Sequence, residues 1–154
     1  MPMKWTPVLA APAAIMLIAP ASATIYLTVD QAQQAIFPGT AVSPTGQPGV
    51  FRASNGGYLI IDRVIGKHEY IKFAVGINAN GTIKQIEILE YSESYGYEVR
   101  DASWRAQFVG KSATSPLQLN VDINNISGAT LSSRHLTEGI KRIMTMYQSS
   151  LRGR

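Results

Sequence analysis

The chain has 154 residues, a length that suits one domain. It contains no cysteine, which excludes disulfide bonds and thiolate metal sites. The formal net charge of +4 is too small to predict a nucleic-acid-binding surface, which needs clustered basic side chains.

Residues 1–23 have the features of a secretory signal peptide. Lys4 provides a positive charge, an apolar run follows, and Ala21-Ser22-Ala23 forms an A-x-A cleavage site. We therefore expect cleavage before Thr24 and an exported mature chain, periplasmic or otherwise extracytoplasmic. The alternative is an uncleaved membrane anchor, because anchors and signal peptides begin alike.

The mature chain begins with a predicted short helix. Thr28 and Gln31 form a capping-box pattern at its start, and Pro38-Gly39 ends it. Residues 39–57 are rich in Gly, Pro, Ser and Thr, and they predict a loop or an irregular edge.

A sheet is predicted next. Residues 57–91 are rich in Ile, Val and Tyr and predict an antiparallel meander. Asn80-Gly81 predicts a hairpin turn within it, because both residues tolerate the positive φ that a type I′ turn requires.

The last third predicts two more helices and one more strand. A short helix is expected near 101–109, with Asp101 or Ser103 as its cap. Residues 117–123 alternate apolar and polar side chains and predict a final strand. Apolar side chains recur at helical spacing after Thr130 and predict a long C-terminal helix. The expected fold of the single domain, residues 24–154, is α+β with helices packed on a largely antiparallel sheet.

A small polar motif, Ser127-Gly128-Ala129-Thr130, lies directly before the long helix. A helix N-terminus presents unpaired N–H groups and the positive end of the helix dipole, which suits an anion such as phosphate. Gly128 allows the backbone close approach to a ligand, and Thr130 offers a hydroxyl that could be esterified. Ser, Thr and Gly are also common helix-capping residues, so a structural turn is the alternative.

This segment resembles the flavinylation motif of the FMN-binding domain family. The family includes the extracytoplasmic flavin subunits of the Rnf complex and of the sodium-translocating NADH:quinone reductase. In those proteins FMN is joined by a phosphoester bond to the threonine of the S/T-G-A-T motif. A separate Mg²⁺-dependent flavin transferase makes the bond from FAD. The resemblance implies that Thr130 carries covalent FMN, and that these motif residues flank it: Ser127, Gly128, Ala129, Leu131, Ser132 and Ser133.

The same resemblance implies a role for Asp122, since an aspartate is usual a few residues upstream of the motif. It could orient Mg²⁺ or the threonine hydroxyl during attachment. The alternative is a turn residue before Asn124-Asn125. His68 and His135 are isolated, so no metal site is expected.

A second segment, residues 90–111, resembles the family more loosely. Its matching residues, in order, are Glu93, Gly96, Trp104, Phe108 and Gly110. The resemblance places Glu93, Tyr95 and Gly96 at the flavin pocket. Tyr91, Tyr95 and Tyr97 could flank the ring, although clustered tyrosines are also ordinary packing groups. Family members often have Pro and a second Gly where this chain has Tyr95 and Glu98.

The function that the resemblance implies is electron transfer by an exported flavoprotein. Its expected partners are a flavin transferase and membrane or periplasmic redox proteins. Two alternatives remain from the sequence. One is a secreted binding or structural module of the same fold without flavin, and the other is a small flavin-dependent reductase.

Overall fold

The computed structural model describes residues 24–92 and 96–154, which form a six-stranded sheet and three α-helices. Every pair of neighbouring strands is antiparallel, and the order across the sheet is β1-β6-β5-β4-β3-β2. The strands are β1 (Thr24–Ile25), β2 (Val42–Pro44), β3 (Val50–Ala53), β4 (Tyr58–Ile65), β5 (Tyr70–Ile77) and β6 (Ile83–Tyr91).

The helices lie on both faces of this sheet. They are α1 (Val29–Ile36), α2 (Ala102–Arg105) and α3 (Thr130–Met146). Short 3-10 turns flank α2 at Tyr97–Arg100 and Ala106–Phe108, and one π-helical turn, Tyr147–Leu151, follows α3. No helix in the described part of the chain is long and apolar enough to span a membrane.

The strands bury apolar side chains on both faces, so the sheet separates two clusters. On β5, Phe73 and Val75 belong to the larger cluster, which includes the inner face of α3. Ala74 lies between them in sequence and belongs to the smaller cluster with Ile36 of α1. This alternation follows from the period of two along a strand. The predicted α+β class is confirmed.

The first half of the chain folds largely as predicted. Thr28 Oγ1 accepts a hydrogen bond from the Gln31 N–H at 3.2 Å, and Gln31 Oε1 accepts from the Thr28 N–H at 2.9 Å, which completes the capping box. The meander is confirmed as β4, β5 and β6. The hairpin at Asn80-Gly81 forms. Of these two residues only Gly81 has a positive φ, so the prediction of a type I′ turn is wrong.

The predicted strand 117–123 is wrong. This segment is a loop in which Leu117 and Asn120 have positive φ and only Leu119 and Ile123 form an isolated bridge. The Asp122 carboxylate accepts hydrogen bonds from the Leu117 and Gln118 N–H groups, at 3.0 and 2.9 Å. These bonds close the chain into a compact turn, and the segment adds no strand to the six-stranded sheet.

The short helix near 101–109 is confirmed as α2 and its following 3-10 turn, although Asp101 makes no side-chain capping bond. The long C-terminal helix is confirmed as α3. The predicted signal peptide, residues 1–23, and two predicted site residues, Glu93 and Tyr95, lie outside the described residues.

Candidate functional site

An open groove of about 280 Å³ lies at the start of α3. It brings together most of the motif and Gly96, a residue from the second predicted segment. The lining residues are Lys67, Gly96, Gly128, Ala129, Thr130, Leu131 and Ser132. Leu131 is 41% exposed, and it presents apolar surface to solvent at the mouth of this groove.

The backbone of the motif leaves the helix N-terminus open. The Ala129 N–H donates to the Ile126 carbonyl at 3.0 Å, which closes a tight turn through Ser127 and Gly128. Gly128 has φ +82°, and a Cβ built on it would meet no atom within 4 Å. Ala129 is the N-cap and gives α3 no side-chain cap. The first-turn N–H groups of α3 therefore have no intrahelical acceptor, and this turn lines the groove.

Thr130 is the first residue of α3. Its Oγ1 accepts a hydrogen bond from Asn125 Nδ2 at 3.0 Å. Asn125 was not predicted as a site residue, because nothing in its spacing from Thr130 shows that the intervening turn folds the two side chains together. Its place two residues before the motif is the only sequence signal.

Gly96 and Ser132 meet on the buried side of the groove. The Ser132 Oγ lies 3.3 Å from the Tyr91 hydroxyl, and both side chains are buried. A Cβ on Gly96 would lie 2.6 Å from Ser132 Oγ and 2.7 Å from the Tyr91 hydroxyl. With φ at +81° as well, only glycine fits here without displacing this pair. Tyr97, in contrast, is 56% exposed.

Ser133 and Asp122 contact backbone rather than the groove. Ser133 is buried, and its Oγ donates to the Ala129 carbonyl at 2.8 Å. Asp122 holds the 117–123 loop. Burial acts to raise the pKa of the Asp122 carboxyl, but the N–H groups of Gln118 and Leu117 and the charge of Lys111 together lower that pKa below its ordinary value. The structure thus gives Asp122 a turn role, and its proposed part in attachment stays a prediction.

The loop before the motif is fixed by the segment around α2. Trp104 Nε1 donates to the Asn124 carbonyl at 2.7 Å, and the Asn124 N–H donates to Gln107 Oε1 at 2.7 Å. The side chains of Trp104 and Gln107 therefore hold both backbone groups of Asn124. These contacts set the path of the chain toward Thr130.

The turn between β4 and β5 contributes Lys67 to the lining of the groove. His135 of α3 holds this turn: its Nδ1 lies 2.7 Å from the carbonyl oxygens of both Ile65 and Gly66. Carbonyls only accept, so Nδ1 carries the proton. Lys67 was missed because it is distant in sequence from the motif, and a lone lysine in a predicted turn gives no sequence signal.

A sequence model of the FMN-binding domain matches residues 66–145, just over half of the chain. The chain belongs to the FMN-binding domain family. The matched region includes the groove, from Lys67 to the start of α3.

One curated relative is a component of the Na(+)-translocating ferredoxin:NAD(+) oxidoreductase complex of Acetobacterium woodii. It is 30% identical over 88 residues, which cover 51% of this chain and 42% of the relative. The chain thus spans less than half the length of that relative.

The groove fits the phosphate end of FMN. The open first turn of α3 supplies backbone N–H donors, Lys67 supplies a positive charge, and the space beside Gly128 is free of side chains. The groove volume is near the lower end of the range for ligand sites, about 300 to 1,000 Å³. A flavin held by its phosphate here would therefore extend beyond the groove.

Proposed function

We propose that this protein is an exported electron-transfer flavoprotein that carries FMN through a phosphoester bond to Thr130. The observation that carries the proposal is the position of Thr130. Thr130 lines an open groove at the uncapped N-terminus of α3, within the region matched by the FMN-binding domain.

The attachment step requires FAD and a separate flavin transferase with Mg²⁺. Thr130 Oγ1 forms a bond to the FMN phosphorus of FAD, and the bond from that phosphorus to the AMP oxygen breaks. AMP leaves, and the threonine proton passes to a base of the transferase or to solvent. The product chain is heavier by FMN less one water. No atom changes oxidation state.

Residues of the chain hold the phosphate and leave the rest of the cofactor accessible. The N–H groups of the first turn of α3 bind phosphate oxygens, and the Lys67 ammonium balances their charge. The isoalloxazine ring supplies the redox chemistry when FMN is bound. Because the groove is small and open, it would leave the ring accessible to a partner protein.

The redox partners are proposed by similarity to the curated relative. Its name places it in a complex that links ferredoxin and NAD(+) to sodium translocation. A membrane-associated redox protein outside the cytoplasm is the partner that agrees with both this relative and the signal-peptide pattern of residues 1–23.

Intact mass tests the proposal. The chain is co-expressed with a flavin transferase and exported, and we expect the mature protein to gain FMN less one water. Thr130→Ala should abolish the gain completely, because no hydroxyl remains at the helix start. Thr145→Ala is the matched control, since this exposed threonine of α3 donates to the Lys141 carbonyl far from the groove.

Two results would contradict the proposal. If the mature protein gains no mass while the transferase modifies another substrate, the motif is a capping turn, and the module without flavin is the better description. If Thr130→Ala keeps the full gain, the attachment residue lies elsewhere.

A further inference from the structure

The side chain of Asn125 contacts the proposed attachment residue directly. Its Nδ2 donates a hydrogen bond to Thr130 Oγ1 at 3.0 Å, across the turn that precedes α3. We propose that Asn125 is a positioning residue that fixes the Thr130 hydroxyl for attachment of FMN. This inference rests on the proposed function, because it concerns the same reaction.

Three other hydroxyls of α3 are used differently. Ser133, Thr137 and Thr145 each donate to the backbone carbonyl four residues earlier, at 2.8, 2.6 and 2.9 Å. Such bonds are usual for hydroxyls in helices and select the χ1 rotamer. Thr130 instead accepts from Asn125, so a loop side chain selects its rotamer. Its own proton is not used in that bond and is free to leave.

The direction of this bond matters for the reaction. Negative charge develops on Thr130 Oγ1 as its proton leaves, before the bond to phosphorus is complete. An N–H donor already aimed at that oxygen stabilises the charge without reorganisation. It also limits rotation of the hydroxyl, which keeps Oγ1 near the direction of attack. Asn125 therefore acts through Thr130 and needs no contact with FAD.

The rate of mass gain measures this effect. Purified chain is mixed with a flavin transferase, FAD and Mg²⁺, and initial rates are followed by intact mass over a range of chain concentrations. We expect Asn125→Ala to lower the saturated rate about 10-fold to 100-fold, the usual weight of a hydrogen bond to a developing charge. The chain concentration for half-maximal rate should change little. Asn125→Asp keeps the shape but removes the donor, and it should be slowed at least as much.

Asn78 offers a matched control. Its Nδ2 donates to Thr82 Oγ1, also at 3.0 Å, in the β5–β6 hairpin at the end of β5 opposite the groove turn. Asn78→Ala removes the same kind of bond without touching Thr130. It should therefore be flavinylated at the wild-type rate, even if its stability falls.

A second readout does not involve the cofactor. The side-chain amide signals of Asn125 in the unmodified chain should shift in Thr130→Ala and stay unchanged in Thr145→Ala, measured by NMR. If Asn125→Ala does not fold, the proposal is tested by these amide shifts and by the attachment rate of Asn125→Asp.

The outcomes separate the two proposals. Wild-type mass gain with an unchanged rate in Asn125→Ala or Asn125→Asp overturns the role of Asn125 alone. Asn125 amide signals that stay unchanged in Thr130→Ala also overturn the role of Asn125. No mass gain in the wild type overturns the proposed function, and the positioning role with it.

Discussion

At the residue scale, the Asp122 carboxylate stabilises a loop through hydrogen bonds to two backbone N–H groups, those of Leu117 and Gln118. The net effect of its surroundings lowers its folded-state pKa below the ordinary value of 3.8. A depressed carboxyl pKa adds stability above the unfolded-state pKa. That stability is lost as the pH falls through the folded-state pKa.

Asp122→Ala should therefore reduce the free energy of unfolding at pH 7 by about 1 to 2 kcal/mol, because two N–H groups lose a charged acceptor that is partly exposed. The difference from wild type should shrink as the pH falls below 3.8. Urea unfolding monitored by circular dichroism at several pH values measures it.

Asp101→Asn is the control for this prediction. Asp101 is exposed and makes no side-chain capping bond at α2, so its replacement should change the free energy of unfolding by less than about 0.5 kcal/mol. An Asp122→Ala penalty that is the same at all pH values would contradict a charge-dependent role.

At the element scale, the packing of α3 against β4 depends on Gly139. A Cβ on Gly139 would lie 2.5 Å from Val64 Cγ1 and 3.3 Å from Phe73 Cζ, both buried. Alanine gains about 1 kcal/mol of helix propensity over glycine. Overpacking of a core costs about 1 to 3 kcal/mol, and Val64 is too stiff to rotate away.

We expect overpacking to outweigh helix propensity at this position. Gly139→Ala should lower the free energy of unfolding by about 1 kcal/mol. Val64→Ala removes the clashing methyl group, so the double variant should be less destabilised than the sum of the two single variants. Strictly additive losses in urea unfolding would show that the cost of Gly139→Ala does not come from its contact with Val64.

At the scale of the whole molecule, the groove is assembled from segments far apart in the chain. The β4–β5 turn provides Lys67, and His135 of α3 holds that turn in place. Trp104 fixes the Asn124 carbonyl and so links the α2 segment to the loop before α3. Loss of one of these links should alter the groove as well as the stability.

Trp104→Phe tests this link. It leaves the Asn124 carbonyl without its donor and should reduce the free energy of unfolding by about 1 to 3 kcal/mol. The initial rate of FMN attachment to Thr130 should also fall, because the loop loses one of its two anchors. Urea unfolding and intact mass measure the two effects.

Tyr58→Phe separates the local effect from general destabilisation. The Tyr58 hydroxyl donates to the main-chain oxygen of Arg154 at 3.0 Å, away from the groove. Its loss should lower stability without slowing attachment. An attachment rate in Trp104→Phe equal to that of Tyr58→Phe would argue against the α2 anchor.

Much of the fold was predictable because its signals are local. The capping box of Thr28 and Gln31 requires residues only three apart, and the helical period after Thr130 is visible within a few turns. The strand predicted over 117–123 failed for a related reason. Alternating apolar and polar side chains also occur in a loop, and here the positive φ of Leu117 and Asn120 and the hydrogen bonds to Asp122 distinguish the two.

The α+β class, the start of α3 and the position of Thr130 at that start were all predictable from the sequence, because each depends on short-range patterns and on one recognisable motif. Only the packing of the folded chain shows that Lys67 reaches the groove and that Asn125 bonds to the threonine hydroxyl. These contacts depend on how turns and strands pack against α3. No spacing along the chain encodes such contacts, since they form only when the sheet brings distant segments together.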